Sequence, residues 1–215
     1  AEHTILMMLG VSRRAPEMHN RVVTGNWAGN DHGMNSYSLS GKTLGIVGLG
    51  NIGTLVAKRA EALGMKITFA DPGVKTSPAS GWKKNTFEEL LTHSDYVTFH
   101  VHLGPETKNM INSANIGLLK KKPFLINVSR AELIEREALL DALESQAIRG
   151  VAIDAHYQEP TEPSDELFSF DNVFYSPHIA GSTVDSYQET VRACVENIRA
   201  THQSSTTQGL IRSAD

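Results

Sequence analysis

Three side chains that could carry acid–base chemistry follow segments typical of buried strands. They are Arg130 after the apolar segment 124–128, Glu159 after 150–153 and His178 after 173–175. Arg can hold a carboxylate with a two-pronged hydrogen bond, whereas His can give or take a proton near neutral pH. A Glu beside the His would favour the protonated ring and fix its orientation. These types suit the reduction of a 2-oxo acid, which needs a carboxylate anchor, a proton donor and a hydride from a cofactor.

Each of these residues also has a simpler interpretation when taken alone. Arg130 could be a surface residue at a helix start, Glu159 a solvated loop acid and His178 a capping or loop histidine. Their common position after strands argues for the chemical interpretation, because ligands of open α/β sheets bind at the carboxyl ends of the strands.

The elements that must position these side chains form a regular alternation. Strands are predicted at 43–47, 66–70, 96–101, 124–128, 150–153 and 173–175, and helices at 52–63, 87–91, 136–145 and 183–200. Apolar strands that alternate with amphipathic helices predict a parallel sheet covered on both faces. Because crossovers are right-handed, the predicted fold class is α/β, a doubly wound parallel sheet.

A glycine-rich turn joins the first predicted strand to the first helix of this sheet. Gly48 permits a tight turn, Gly50 lets the backbone approach a pyrophosphate, and Gly53 lets the helix pack against the strand. The helix N-terminus adds free N–H groups and a favourable dipole. Asp71, at the end of the second strand, can accept hydrogen bonds from ribose hydroxyls and would repel a 2′-phosphate, so NAD is favoured over NADP. The alternatives are a turn without a ligand and an Asp71 that merely begins the Asp-Pro-Gly turn.

Several further motifs keep the same order and spacing from about residue 2 to residue 200. They are Gly48 to Gly53, Asp71-Pro72, Pro105-Glu106-Thr107, Ile126-Asn127-Val128-Ser129-Arg130, Ala152-Ile153-Asp154, Glu159-Pro160 and Ser176-Pro177-His178-Ile179-Ala180-Gly181-Ser182. In this register the chain resembles the D-isomer-specific 2-hydroxyacid dehydrogenases. The resemblance implies a Rossmann fold that binds NAD, and a catalytic set of Arg130, Glu159 and His178.

The resemblance also implies further cofactor contacts. It places the nicotinamide carboxamide at Asp154 and at the backbone of Val128 and Ser129. The remaining predicted contacts, besides Arg130 and His178, are Asn51, Ile52, Pro72, His100, Val101, His102, Thr107, Ala180 and Gly181. The family is usually dimeric through the region that matches residues 2–40, so a homodimer is predicted.

The chain departs from the family in three respects. It lacks the preceding substrate-binding domain, which supplies a loop for the substrate carboxylate and a lid that excludes water. Ala131 replaces the glycine usual after the catalytic Arg, and His102 stands where a proline is usual. His100, His102 and His156 invite a metal interpretation, but no carboxylate or cysteine with ligand spacing accompanies them, so no metal is predicted.

The predicted organisation has three parts. Residues 1–40 form a leading helix and dimer arm, 41–200 the NAD-binding domain and 201–215 a polar tail. The leading helix is predicted at 2–24, with a kink at Pro16 and with Ile5, Leu9, Met18 and Val22 on its apolar face.

The composition of this chain of 215 residues argues against several other classes of protein. A net charge of −4 with only Lys120 to Lys122 as a basic cluster argues against nucleic-acid binding. The apolar run 5–11 is far shorter than the roughly 20 residues of a membrane span. Cys194 is the single cysteine, which excludes an internal disulfide and fits a reducing, cytoplasmic location. Its neighbours Val191 and Val195 predict that it is packed in a helix.

Two functions of different classes follow. The first is an NAD-dependent oxidoreductase that interconverts a 2-oxo acid and a D-2-hydroxy acid, weak or inactive without the substrate domain. The second is an NAD(H)-binding module that dimerises or senses the cofactor without turnover, as co-repressor relatives do. Formate dehydrogenase, a close relation, has glutamine at the position of Glu159 and is disfavoured. The substrate itself stays open among phosphoglycerate, hydroxypyruvate or glyoxylate, and branched 2-oxo acids.

Overall fold

Seven parallel strands form one sheet in the computed structural model, which describes residues 1–27 and 35–202. The strands are β1 Thr43–Val47, β2 Lys66–Ala70, β3 Lys83–Lys84, β4 Tyr96–Phe99, β5 Phe124–Asn127, β6 Gly150–Ile153 and β7 Val173–Tyr175. The helices are α1 Glu2–Arg13, α2 Ala15–Val23, α3 Asn51–Ala62, α4 Phe87–His93, α5 Arg136–Glu144 and α6 Val184–His202. The strand order is β3-β2-β1-β4-β5-β6-β7 and every pairing is parallel. The predicted doubly wound α/β class is confirmed.

Helices cover both faces of this sheet, because successive side chains of a strand point to opposite faces. On one face, α1 and α3 pack through Met7, Met8 and Val56. On the other face, α4 and α5 pack through Leu91 and Leu139. The strands are therefore apolar on both faces, as the sequence predicted, and their polar loops lie at the sheet edges.

The described chain divides into two compact units. The first spans Ala1–Ala180 and contains the sheet with α1 to α5, and the second begins at Gly181 and contains α6. The predicted boundaries at residues 40 and 200 stay predictions. The predicted polar tail lies outside the described residues from 203 onward, and residues 28–34 of the predicted arm lie outside them too.

The helix predicted at 2–24 with a kink at Pro16 is two helices in the structure, and the interruption lies at Arg14 instead. The chain breaks at Arg14, whose left-handed backbone (φ 51°) ends α1 and begins α2. Pro16 lies in the first turn of α2, where its missing N–H removes no helical hydrogen bond.

The apolar face predicted for this region is also different in the structure. The α1 side chains that face the sheet are Met7, Met8 and Val11, whereas Leu9 and Val22 are exposed. Within α1 the buried positions Thr4, Met7, Met8 and Val11 follow one helical stripe, and Leu9 lies off that stripe.

The other differences are smaller. Most predicted bounds are off by one or two residues, which is the usual uncertainty of helix and strand ends. β3 was missed, because its two exposed lysines carry no apolar pattern and the strand is defined only by pairing of Thr68 and Phe69 with Lys83 and Lys84.

The prediction of a packed Cys194 is wrong. Cys194, Val191 and Val195 are all exposed on α6. An apolar helical pattern gives a buried face only where another element lies against it. Among the described residues, no helix is long and apolar enough to cross a membrane.

Close packing between α1 and β7 depends on Gly10. A Cβ at Gly10 would lie 2.0 Å from Cε1 of Phe174. Ala adds about 1 kcal/mol of helix propensity, but overpacking costs about 1–3 kcal/mol. We therefore expect Gly10→Ala to lower the free energy of unfolding by about 1 kcal/mol in urea titrations. Phe174→Leu is the control background, in which the overlap is reduced; an equal loss in both backgrounds would rule out this contact as the cause.

Candidate active site and nucleotide-binding loop

The loops that carry the predicted catalytic residues leave neighbouring strands at one edge of the sheet. Asn127 at the end of β5 pairs with Ile153 at the end of β6, and Ile153 pairs with Tyr175 at the end of β7. Arg130, Glu159 and His178 follow these three strand ends in turn, so the topology gathers their loops at the carboxyl edge.

Glu159 and His178 form a hydrogen-bonded pair at this edge. His178 Nδ1 lies 2.9 Å from Oε1 and 2.8 Å from Oε2 of Glu159. Each side chain is 41% exposed, so the pair is open to a ligand. Because the carboxylate can only accept, Nδ1 carries the proton and Nε2 is directed to other partners. This is the arrangement that orients a general acid–base histidine.

Glu159 is itself held by the loop that follows β6. The backbone N–H of His156 donates to Glu159 Oε1 at 2.9 Å. This hydrogen bond, together with the one from His178, holds the pKa of Glu159 below its ordinary value. The carboxylate is thus kept ionised and held against Nδ1 of the histidine ring.

The pKa of Glu159 gives a testable consequence. Its largest cause is the His156 backbone N–H and the next is the His178 side chain. We expect the carboxyl titration of Glu159, followed by ¹³C NMR, to rise in His178→Ala and yet stay below the ordinary Glu value. Because the folded pKa is lowered, the pair stabilises the fold above the unfolded pKa and loses that contribution as pH falls. A midpoint in His178→Ala at the ordinary Glu value would contradict the role of the His156 N–H; Glu88→Gln on α4 is the control.

Arg130 stands on a separately braced turn after β5. The Asn127 amide donates to the carbonyl of Arg130 at 2.8 Å, and the Ser129 hydroxyl donates to the carbonyl of Phe99 at 2.6 Å. The guanidinium is exposed and donates to the Ser129 carbonyl at 2.7 Å. Among the described residues, the Arg130 side chain hydrogen-bonds Ser129 and not the Glu159–His178 pair. Most of its donors therefore remain for a ligand.

Asp154 lies beneath the loop that carries His178. Its side chain is 0% exposed, and it accepts hydrogen bonds from the Ser176 hydroxyl at 2.5 Å and from the backbone N–H groups of Ile179 and Ala180 at 2.9 Å. His3 Nε2 lies 3.3 Å from the same carboxylate. Burial alone would raise the pKa of Asp154, but the hydrogen bonds from Ser176 and the loop outweigh it and lower the pKa. Its predicted contact with a carboxamide stays a prediction.

The glycine loop has the shape that a bound dinucleotide requires. Gly48 has φ +88°, and a Cβ there would lie 2.6 Å from the His100 carbonyl oxygen. A Cβ at Gly53 would lie 2.2 Å from the Gly48 carbonyl oxygen. Nothing lies within 4 Å of a Cβ at Gly50, so the loop is open on the side where the helix N-terminus of α3 presents its N–H groups. These residues therefore fit NAD.

Asp71 is linked to this loop directly. Its Oδ2 accepts the Leu49 N–H at 2.7 Å, and its Oδ1 accepts the Gly73 N–H at 2.7 Å. Asp71 therefore begins the turn after β2 and also braces the glycine loop. Its predicted hydrogen bonds to ribose hydroxyls stay a prediction.

Within the first unit, the remaining predicted cofactor contacts lie around the same edge. Burial lowers the pKa of His100 to about 4, so its ring is neutral at physiological pH. The Thr107 hydroxyl donates to the His102 carbonyl at 2.6 Å and closes the loop after β4. Within the first unit the other members stand at loop or helix starts: Asn51, Ile52, Pro72, Val101, Val128, Ser129 and Ala180. Gly181 belongs to the second unit.

Two interactions in the site were not predicted. The His156 ring donates to the Ser176 carbonyl at 2.9 Å, and His3 Nε2 lies 2.8 Å from the Ser176 hydroxyl. The sequence analysis considered His156 only as a possible metal ligand. Its position three residues before Glu159 is the signal that could have indicated its contact with the site. Within the described residues, no three His, Cys, Asp or Glu side chains come together as a metal ion requires.

A cavity of about 650 Å³ lies at the opposite edge of the sheet. It is lined by Phe124, Arg149 and Asn172, which stand at the starts of β5, β6 and β7. It is remote from the strand ends that precede Glu159 and His178. This cavity therefore does not mark the candidate active site.

The fold and the glycine loop together define a dinucleotide-binding domain of the doubly wound α/β class. Comparison with known proteins gives the family: residues 5–180 match the profile of the D-isomer specific 2-hydroxyacid dehydrogenase, NAD binding domain. The chain belongs to this family, and NAD is the cofactor that its domain binds.

Individual relatives agree with this assignment. The chain is 36% identical to a glyoxylate reductase of Thermofilum pendens, over 93% of this chain and 60% of the relative. It is also 36% identical to a D-3-phosphoglycerate dehydrogenase of Synechocystis, over 93% of this chain and 36% of the relative. The crystal structure of D-lactate dehydrogenase from Aquifex aeolicus, complexed with NAD and lactic acid, superposes with a TM-score of 0.84 at 30% identity, over 94% of this chain and 66% of that one. The chain thus spans less than two thirds of the length of these relatives.

Proposed function

We propose that this chain is the catalytic NAD-binding part of an oxidoreductase that interconverts a 2-oxo acid and a D-2-hydroxy acid. The observation that carries the proposal is the Glu159–His178 pair, with distances of 2.8 and 2.9 Å, at the same strand edge as Arg130. The named relatives act on glyoxylate, phosphoglycerate and lactate, which share the 2-oxo or 2-hydroxy acid group, and this supports the substrate class.

The side chains divide the work by their chemistry. Arg130 binds the substrate carboxylate through guanidinium donors that Ser129 does not occupy. His178 gives its Nε2 proton to the substrate oxygen during reduction and takes it back during oxidation. Glu159 holds the ring through Nδ1 and stabilises the charged imidazolium. Bound NADH would supply the hydride for the reduction, and bound NAD⁺ would accept it in the oxidation.

The cofactor would be held by the glycine loop, Asp71 and the strand-edge residues. Gly48, Gly50 and Gly53 would accommodate the pyrophosphate, and Asp71 the adenine ribose. An acid at the end of β2 disfavours a 2′-phosphate, so we propose a preference for NAD over NADP. A substrate-binding domain such as that of full-length relatives would exclude water and position the substrate. Positioning contributes roughly 7–11 kcal/mol to such reactions.

The test is NADH oxidation by the full 215-residue chain against a panel of 2-oxo acids, with NADPH as the comparison cofactor. We expect slow turnover with NADH that Arg130→Ala abolishes and that Arg130→Lys restores only in part, because Lys lacks the planar fork. The panel also ranks the substrates. NADH binding without turnover on any acid would contradict the proposal and favour a cofactor-sensing module.

The proposal includes a homodimer formed through the N-terminal region. Val22, Val23 and Trp27 are 58%, 65% and 81% exposed at the end of α2 and beyond it, which supports a covered apolar surface there. Sedimentation of the chain beside Trp27→Ala tests it: a concentration-independent monomer would contradict the dimer. A reducing, cytoplasmic setting completes the proposal and is supported by the single cysteine.

A further inference from the structure

His156 contacts Glu159 of the acid–base pair and the residue on which the turn of His178 is built. Its backbone N–H donates to Glu159 Oε1 at 2.9 Å. Its ring Nε2 lies 2.9 Å from the carbonyl oxygen of Ser176, at the end of β7. Because a carbonyl only accepts, Nε2 carries the proton.

The carbonyl that this ring reaches is the one on which the His178 turn is built. The N–H of His178 donates to the same Ser176 oxygen at 3.0 Å, so the oxygen accepts from both residues. His178 has a left-handed backbone, with φ 54°, which a non-glycine residue adopts at a cost. A second donor on the Ser176 carbonyl fixes the base of a turn that is strained at its tip.

The ring is placed for this contact by packing. It is half-buried and stacks on Tyr175, with ring centroids 6.1 Å apart and an interplanar angle of 19°. The stack orients the ring, and Nε2 then faces the carbonyl directly after Tyr175. The His156 ring therefore has two separable functions. Any aromatic ring at this position could stack on Tyr175, whereas the hydrogen bond to the Ser176 carbonyl requires the ring N–H.

We infer that His156 is a positioning residue that ties the loop after β6 to the loop after β7 and so holds Glu159 and His178 in register. Its backbone fixes the carboxylate, and its ring fixes the turn that carries the imidazole. The inference rests on the proposed function for its catalytic meaning, but the geometry of the pair can be measured without turnover.

Three substitutions separate the parts of this role. His156→Phe keeps an aromatic ring on Tyr175 and removes the donor. His156→Gln keeps a donor, because the Gln amide nitrogen lies as many bonds from Cα as the His Nε2 does. His156→Asn carries the same amide one bond short of the Ser176 carbonyl and is the matched polar control.

The experiment is the ¹³C NMR titration of the Glu159 carboxyl in the full chain, with urea unfolding to establish that each variant is folded. We expect His156→Phe and His156→Asn to raise the midpoint toward that of His178→Ala, and His156→Gln to restore the wild-type midpoint. In the double variant with His178→Ala, the Phe substitution should add only the small direct effect of the His156 ring on Glu159, which is the smallest of the causes that lower this pKa. An unchanged midpoint in folded His156→Phe, or an equal rise with and without His178, would overturn the inference.

If the wild-type chain turns over substrate, its kinetics test the role of His156 independently of the titration. His156→Phe should lower kcat by roughly tenfold to a hundredfold, as a small misplacement of a catalytic group does, and leave the KM for NADH unchanged. Failure of the proposed function would appear as absent turnover in the wild-type chain, with the titration result intact. Failure of the inference would appear in the titration, with wild-type turnover intact.

Discussion

Gly53→Ala and Gly50→Ala are expected to weaken cofactor binding for different reasons. A Cβ at Gly53 would lie 2.2 Å from the backbone oxygen of Gly48, so the loop must move. Overpacking of this kind costs about 1–3 kcal/mol, and the melting temperature should fall by roughly 4–8 °C for a loss of about 2 kcal/mol. At Gly50 nothing lies within 4 Å, so stability should change by less than about 0.5 kcal/mol.

The affinity for NADH distinguishes a defect in cofactor binding from a loss of stability. Gly50→Ala should be folded as well as wild type and yet bind NADH at least about tenfold more weakly, a difference of about 1.4 kcal/mol, because its Cβ would occupy the space into which a pyrophosphate must come. Gly117→Ala is the matched control, since it too has nothing within 4 Å and lies outside the predicted site. Fluorescence titration with NADH measures the affinity. Wild-type affinity in Gly50→Ala would contradict the prediction that the glycine loop forms part of the cofactor site.

The sequence predicted this loop and the strand-edge pair because both follow from local rules. A glycine triplet between a strand and a helix has one common use. Glu159 and His178 are 19 residues apart, but each follows a strand, and parallel strands bring their carboxyl ends to one edge. Topology, not proximity in the chain, made the pair predictable.

Contacts between residues that are far apart in the chain leave no comparable pattern in the sequence. His3 and Ser176 are 173 residues apart and meet only because α1 packs across β6 and β7. The break at Arg14 was also hidden, since left-handed backbone is uncommon for a residue of this type. The sequence indicated the chemical groups, whereas the contacts that hold them depend on packing that a periodic pattern does not encode.

The largest effect on stability is expected for substitution of Asp154, which is held by this packing. Its buried carboxylate accepts from Ser176, Ile179 and Ala180, and in Asp154→Asn one oxygen becomes an amide that must face an N–H donor. Hydrogen bonds to charged groups contribute about 1.5–3 kcal/mol each, so we expect the free energy of unfolding to fall by about 3 kcal/mol at neutral pH. Urea unfolding measures it, and the exposed Asp141→Asn on α5 is the control.

The pH dependence of that loss distinguishes the charge from the shape of the side chain. Because hydrogen bonds lower the pKa of Asp154 in the folded state, its stabilisation is complete above the unfolded pKa and is lost as pH falls through the folded pKa. Wild type and Asp154→Asn should therefore differ most at neutral pH and converge in acid. A difference that stays constant from neutral pH to acid would mean that the carboxylate charge does not hold the loop, and that the orientation of His178 depends on other contacts.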